Sequence, residues 1–191
     1  MIPNIKTNYF CIRPFESKDL KGFTQYRAIP TVAKYQSWSD YSYSDAVKLF
    51  ENIDYSRFGS ADEWFQLAIA DNATDIIMGD LAIHFVGEQQ IEIGFTIDPE
   101  FQNQGLASSA LTLMLDYLFT KLDKHRVVAI TDCKNIPSCC LLEKLKFRRE
   151  AHYIKNIFFK GAWGDEYLYA MLKEEYMQYK KLNSKYTEVK K

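Results

Sequence analysis

Histidine is scarce, metal-type cysteine spacing is missing, and neither sign of charge dominates. The chain has 191 residues, with three histidines (at 84, 125 and 152) and four cysteines, Cys11, Cys133, Cys139 and Cys140, none of which spells C-x-x-C. Ligands scattered in this way do not build a zinc site. No metal is therefore expected, and the thiols read as reduced structural residues. A formal net charge of -1 speaks against a nucleic-acid partner, which would need a basic stripe. No uncharged apolar run approaches the roughly 20 residues of a membrane span. The opening M-I-P-N-I-K-T-N lacks the apolar core of a signal peptide, which predicts a cytoplasmic protein. Two phosphate-loop spellings, G-x-x-x-x-G-K-[ST] and G-x-G-x-x-G, are also absent. No repeat, low-complexity tract or linker divides the chain. It reads as one domain over residues 1–172, followed at 173–191 by a polar, lysine-rich tail or terminal helix.

What is present is a globular composition, 47% hydrophobic and 15% aromatic, organised around residues 91–119. Ile91, Ile93, Phe95 and Ile97 alternate with Glu92, Gly94 and Thr96, which predicts a strand. Asp98-Pro99 ends it, because proline brings no N–H to a ladder. From Gln104 the period changes. Ala107, Ala110, Leu111, Met114 and Leu118 recur at three- and four-residue steps, as on a helix. The small, uncharged loop between them is Gln102-Asn103-Gln104-Gly105-Leu106-Ala107, with Ser108 following. A strand that runs through such a loop into a helix presents unpaired N–H groups and the positive end of a peptide dipole to an incoming anion. Gly105 lets that anion approach the backbone.

Around this centre, Phe10-Cys11-Ile12-Arg13 reads as a short strand ended by Pro14, and a helix follows from Ser17 or Lys18 to about Ala28. Tyr35, Trp38, Tyr41 and Tyr43 crowd an irregular stretch, either as packing between helices or as a wall of a pocket suited to small amines. Ser44 is expected to cap a second helix through about Ile53. Residues 64–70, 76–86 and the Ile91 strand predict an antiparallel meander. Residues 126–132 are mostly apolar, as for a strand buried on both faces. Because a helix separates it from the Ile91 strand, these two strands should run parallel with a right-handed crossover. Residues 147–157 and 164–171 predict a closing hairpin.

The spelling Q-x-x-G-x-A at Gln102–Ala107 resembles the Q/R-x-x-G-x-G/A signature of the GNAT superfamily of acyl-CoA-dependent N-acetyltransferases. Asn135-Ile136-Pro137-Ser138-Cys139-Cys140-Leu141-Leu142-Glu143-Lys144-Leu145-Lys146-Phe147 resembles that family's N-x-x-S helix ending in E-K-L-G-F. The opening I-x-T-x-x-x-x-I-R-P-F-x-x-x-D-L is similar to the RimJ/RimL-like branch, which includes ribosomal-protein N-terminal acetyltransferases. The resemblance covers roughly residues 5–172. It implies an α/β GNAT fold: a mixed, mostly antiparallel sheet flanked by helices, with one parallel β-α-β unit splayed at the acyl-CoA site beyond Ile97. It implies acetyl-CoA as co-substrate, without metal. The pyrophosphate would rest on the amides from Gln102 to Ala107, with Ser108 in the first helical turn. The pantetheine arm would lie along Phe95, Thr96 and Ile97, and Asn135 and Ser138 would stand near the thioester.

The implied reaction is direct attack of a primary amine on acetyl-CoA. It requires a deprotonated amine and stabilisation of the departing thiolate. Glu92, on the polar side of its strand, is the candidate base, acting through a water; a solvated strand residue is the alternative. Asn135 has a plain N-cap as its alternative. A tyrosine common in the family stands here as Leu142, and its glycine stands as Lys146, so thiolate protonation passes to Ser138 or water. A Cys139 or Cys140 acyl intermediate lacks a neighbouring histidine to activate it. The acceptor is a small amine or a protein N-terminus, and a homodimer is open. Two rival readings are a non-catalytic acyl-CoA-binding module and a ribosome-associated protein using its lysine-rich tail.

Overall fold

The computed structural model describes residues 2–188, so residues 189–191 of the expected tail lie outside the described residues. One eight-stranded sheet runs through it in the order β1-β2-β3-β4-β5-β6-β8-β7. Its strands are β1 (Ile5–Lys6), β2 (Phe10–Pro14), β3 (Trp64–Asp71), β4 (Ile77–Val86), β5 (Gln90–Ile97), β6 (Arg126–Asp132), β7 (Arg148–Phe159) and β8 (Ala162–Leu172). Its helices are α1 (Leu20–Arg27), α2 (Pro30–Ala33), α3 (Tyr43–Glu51), α4 (Leu106–Asp116), α5 (Ile136–Lys144) and α6 (Lys173–Glu188), and α4 continues as a π-helical turn over Tyr117–Lys121. The β5–β6 pair is parallel, as the crossover through α4 requires, and the neighbouring pairs are antiparallel.

Alternation along the strands divides the core. Phe65, Leu67 and Ile69 of β3 join the large cluster beneath α4, with Ile91, Ile93, Val127, Leu111, Met114 and Leu118. Ala68 points the other way, into a smaller cluster with Phe15, Phe23, Tyr26 and Ala46 under α1 and α3. Apolar burial on both faces thus belongs to β3, not to β6 as its composition predicts. On β6, Val127 and Ala129 are buried, but Ile130 is 41% exposed because its face looks into a cavity rather than onto a helix.

Several boundaries move for local reasons. The second helix is capped by Ser42, not Ser44. Ser42 Oγ accepts from Asp45 N and the Asp45 carboxylate accepts from Ser42 N, a reciprocal capping box. The central helix starts at Leu106 rather than near Gln104, because Gly105 sits at φ 81°, a left-handed geometry that cannot propagate a right-handed helix. β8 lies between β6 and β7, so the closing hairpin docks through its second strand. Tyr176 of α6 is 5% exposed, stacks on Phe119 and donates to Asp116 Oδ1 at 3.0 Å. Core packing therefore continues past residue 172.

Candidate active site

The central opening comes from how the sheet parts. β5 and β6 pair through Gln90–Arg126, Ile91–Val127 and Glu92–Val128, and no further. Each strand then stays with its outer partner, β5 with β4 as far as Ile97 and β6 with β8 as far as Asp132. The splay thus begins after Glu92, earlier than the expected point beyond Ile97. Residues 93–97 present a strand edge with no β6 ladder opposite, and such an edge can bond an extended ligand.

Beyond that edge the loop is braced by its own side chains. Asp98 Oδ1 accepts from Glu100 N at 3.0 Å. Gln102 Nε2 donates to Ile97 O at 2.8 Å, and Gln104 Nε2 donates to Glu100 O at 2.9 Å. Asn103 (φ 59°) and Gly105 (φ 81°) both take left-handed geometry. Gly105, as N-cap of α4, supplies no side-chain cap, which leaves first-turn N–H groups for a ligand. A Cβ built on Gly105 would meet no protein atom within 4 Å. The space beside Gly105 is open, and a pyrophosphate fits the donors there.

Two cavities adjoin the splay. The larger, about 510 Å³, is lined by Phe95, Thr96, Ile97, Gln102, Asn103, Gly105, Leu106, Ala107, Ser108, Asn135 and Ser138, together with Thr31, Val32, Phe101, Cys140 and Lys144. All the predicted coenzyme-binding residues except Gln104 therefore meet there. The smaller cavity, about 400 Å³, holds Arg27, Trp38, Trp64, Gln66, Asp80, Gly94, Asp132 and Glu166. Tyr35, Gln36, Phe95, Thr96, Asn135 and Ser138 line both, so this junction is where two substrates could meet.

The smaller cavity rests on a buried polar network. Asp80, 1% exposed, accepts from Tyr26 Oη at 2.5 Å, from Arg27 Nη2 at 3.0 Å and from Gln66 Nε2. Arg27 also lies against the rings of Phe23 (4.1 Å) and Trp38 (4.4 Å). Burial pushes the Tyr26 phenol well up, and the Asp80 charge adds to the shift. Asp132 and Glu166 lie directly opposite each other on β6 and β8. Three carboxylates against one guanidinium leave this cavity net acidic.

The two proposed catalytic residues fall in different places. Ser138 is in the junction, on the first turn of α5, and its N–H is capped by Asn135 Oδ1 at 3.4 Å. Asn135 thus serves as an N-cap while lining both cavities. Glu92 is on the same face as Gly94 and Thr96 but lines neither cavity. It sits opposite His84 on β4, with Glu92 Oε2 3.4 Å from His84 Nδ1, and His84 stacks on Trp64 at 4.3 Å. Leu142 is buried, and Tyr169, behind α5, donates to Glu143 Oε1 at 2.9 Å. Burial raises the Cys139 thiol pKa, which disfavours it as a nucleophile. Among the described residues, no group of three His, Cys, Asp or Glu side chains is placed to hold a metal, and no helix is long and apolar enough to cross a membrane.

Residues 10–148 match the family described as the acetyltransferase (GNAT) domain. The chain belongs to the GNAT acetyltransferases. The uncharacterized N-acetyltransferase YnaD of Bacillus subtilis is 34% identical over 174 residues, covering 91% of this chain and 99% of that protein. A crystal structure of a GNAT-family acetyltransferase from Bacillus anthracis superposes with a TM-score of 0.81 at 30% identity, covering 91% of this chain and 100% of that one. The spermidine N(1)-acetyltransferase of Escherichia coli is 25% identical over 166 residues, 87% of each chain. The acyl donor of this GNAT enzyme is acetyl-CoA, and its sheet is the mixed, mostly antiparallel one that the motifs imply.

Sequence reasoning missed Lys144, the charged side chain of the larger cavity, although it lies inside the quoted E-K-L segment. It also missed Gln36 and the acidic set Asp80, Asp132 and Glu166, which carry no local spelling. The branch-like opening has a structural use in this GNAT chain. Arg13 of I-R-P-F grips Asp19 with two hydrogen bonds, at 2.7 and 2.9 Å, and Phe15 joins the smaller core cluster.

Proposed function

We propose that this acetyltransferase passes the acetyl group of acetyl-CoA directly to a primary amine, and that the acceptor is a small cationic amine. The observation that carries this reading is a junction of six residues between a cavity suited to an anion and a cavity that is net acidic. The amides of residues 102–107 and the first turn at Ser108 receive the pyrophosphate, and Lys144 adds a counter-charge. The edge at Phe95, Thr96 and Ile97 receives the pantetheine arm. Asn135 orients the thioester, and Ser138 donates a hydrogen bond to the departing sulfur. The proposed base, Glu92, stands outside the lining of both cavities beside His84, and takes the amine proton through bridging water. The spermidine enzyme among the relatives lends support to an amine acceptor.

A protein N-terminus is the second reading, favoured by the resemblance of the opening segment to the RimJ/RimL-like branch. Thiol release from acetyl-CoA, measured with diamines, polyamines, amino acids, aminoglycosides and short peptides with free N-termini, separates these readings. Diamines or polyamines should give the highest kcat/KM. Turnover confined to peptides would replace the first reading with the second. Absence of acceptor-dependent release would leave only an acyl-CoA-binding module. With the best acceptor, Glu92→Gln should lower kcat at neutral pH within the roughly 10²–10⁴-fold range of general bases. The deficit should shrink as alkaline pH supplies free amine.

A further inference from the structure

We propose that Tyr35, on the segment after α2, delivers the proton that the departing thiolate requires. This rests on the direct-transfer reading above. Of the six residues common to both cavities, Phe95, Gln36 and Asn135 carry no acidic proton, and Thr96 and Ser138 carry aliphatic hydroxyls. Tyr35 alone among the six brings a phenol. A phenol is the more acidic kind of hydroxyl. An aliphatic hydroxyl holds its proton far more tightly and can offer the sulfur only a hydrogen bond. The α5 position from which a tyrosine would reach the junction carries Leu142, fully buried. Tyr35 supplies the acid from the wall formed by the segment after α2.

That wall is held in place. Ile29 caps α2, and within the turn Lys34 N donates to Pro30 O at 3.0 Å and Gln36 N to Ala33 O at 2.9 Å. The Lys160 ammonium, at the turn between β7 and β8, donates to Ala33 O. On the other side of Tyr35, Trp38 Nε1 donates to Arg27 O at 3.1 Å. The Lys34 ammonium lies 4.9 Å from the Tyr35 ring centroid, so a positive charge stands beside the ring when it becomes phenolate. The other charged groups of the two cavities are Arg27, Asp80, Asp132 and Glu166 on one side and Lys144 on the other.

The step balances. The amine nitrogen bonds to the acetyl carbon, the carbon–sulfur bond breaks, and its electron pair stays on sulfur. The phenol proton moves to that sulfur and yields the free thiol. The nitrogen loses its proton through water to Glu92, and the phenolate regains one from solvent.

The test uses the full chain with Tyr35→Phe, which removes one hydroxyl, and Tyr35→His, which restores an acid. Tyr35→Phe should lower kcat about 100-fold with the acetyl-CoA KM within about twofold, and Tyr35→His should recover part of the loss. Calorimetry supplies a readout without turnover. The unaltered chain should bind coenzyme A more tightly than desulfo-coenzyme A, and Tyr35→Phe should narrow that gap several-fold. A Tyr35→Phe kcat within about twofold of the unaltered chain, or an unchanged gap, would overturn the proposal. Because the affinity comparison needs no acceptor, failure of every amine in the panel would sink the direct-transfer reading while still testing Tyr35 at the sulfur.

Discussion

On the proposed function, the two cavities attract opposite charge by different means. The larger relies on peptide groups: a left-handed glycine cap, the first turn of α4 and an unladdered strand edge, with Lys144 its charged lining residue among those described. The smaller relies on side-chain charge: Asp80, paired with Arg27, and Asp132 and Glu166, which line the same cavity. Backbone donors are placed by local conformation, so one short loop suffices for an anion. The carboxylates come from three strands: register pairs Asp132 with Glu166 across β6 and β8, and Asp80 comes from β4 on the other side of the splay. A peptide-built site depends on φ and ψ, whereas a carboxylate-built site depends on topology.

The largest expected effect breaks the first half of that comparison. Gly105→Val adds bulk where the structure has open space, at a φ that disfavours a β-branched residue. Coenzyme A affinity should fall at least about 100-fold, equivalent to about 2.8 kcal/mol, while circular dichroism still reports a folded chain. Unchanged affinity by calorimetry would remove the loop from the site.

A smaller effect sharpens the second half. Replacing Glu166 with Gln and Asp132 with Asn keeps shape and removes charge. The KM for a cationic amine should rise about tenfold, close to 1.4 kcal/mol, with coenzyme A affinity unchanged. If an uncharged amine analogue suffers equally, steady-state kinetics would assign the two residues to packing rather than charge recognition.

The smallest effect is a control outside both cavities. Glu150 binds Arg126, at 3.1 Å through Nη1, and also Arg148. The Arg126 hydrogen bond is the main cause that holds its carboxyl down at about 2, against an ordinary 4.5. A depressed carboxyl stabilises the fold above its unfolded value and loses that contribution as pH falls through the folded one. Melting temperature should therefore decline between about pH 4.5 and pH 2, and Glu150→Gln should flatten that part of the curve by a few degrees at most. A variant that shifts coenzyme A affinity would show that this ion pair reaches the site.

The same division explains what could be read from residues alone. The loop at 102–107 was legible because its chemistry is local: small residues, one glycine and a change of period. The strands were legible from alternation, including the parallel pair that α4 imposes. Glu92 shows the limit of alternation. Its face was read correctly, but alternation says nothing of distance along a strand, and Glu92 sits at the paired end beside His84 rather than in the splay. Asp132 and Glu166 were out of reach because no spacing announces that they are register partners across β6 and β8. Ile130 misled for a related reason: an apolar side chain facing a cavity looks, in sequence, like one facing a helix.

The shared junction has a thermodynamic consequence. Tyr35, Gln36, Phe95, Thr96, Asn135 and Ser138 belong to both cavities, so on the proposed function the donor and the acceptor would touch the same residues. Whatever ordering or drying of those side chains the first substrate brings about is already done when the second arrives. The two binding equilibria are therefore linked, and linkage is reciprocal. The factor by which acetyl-CoA alters the affinity for the amine equals the factor by which the amine alters the affinity for acetyl-CoA.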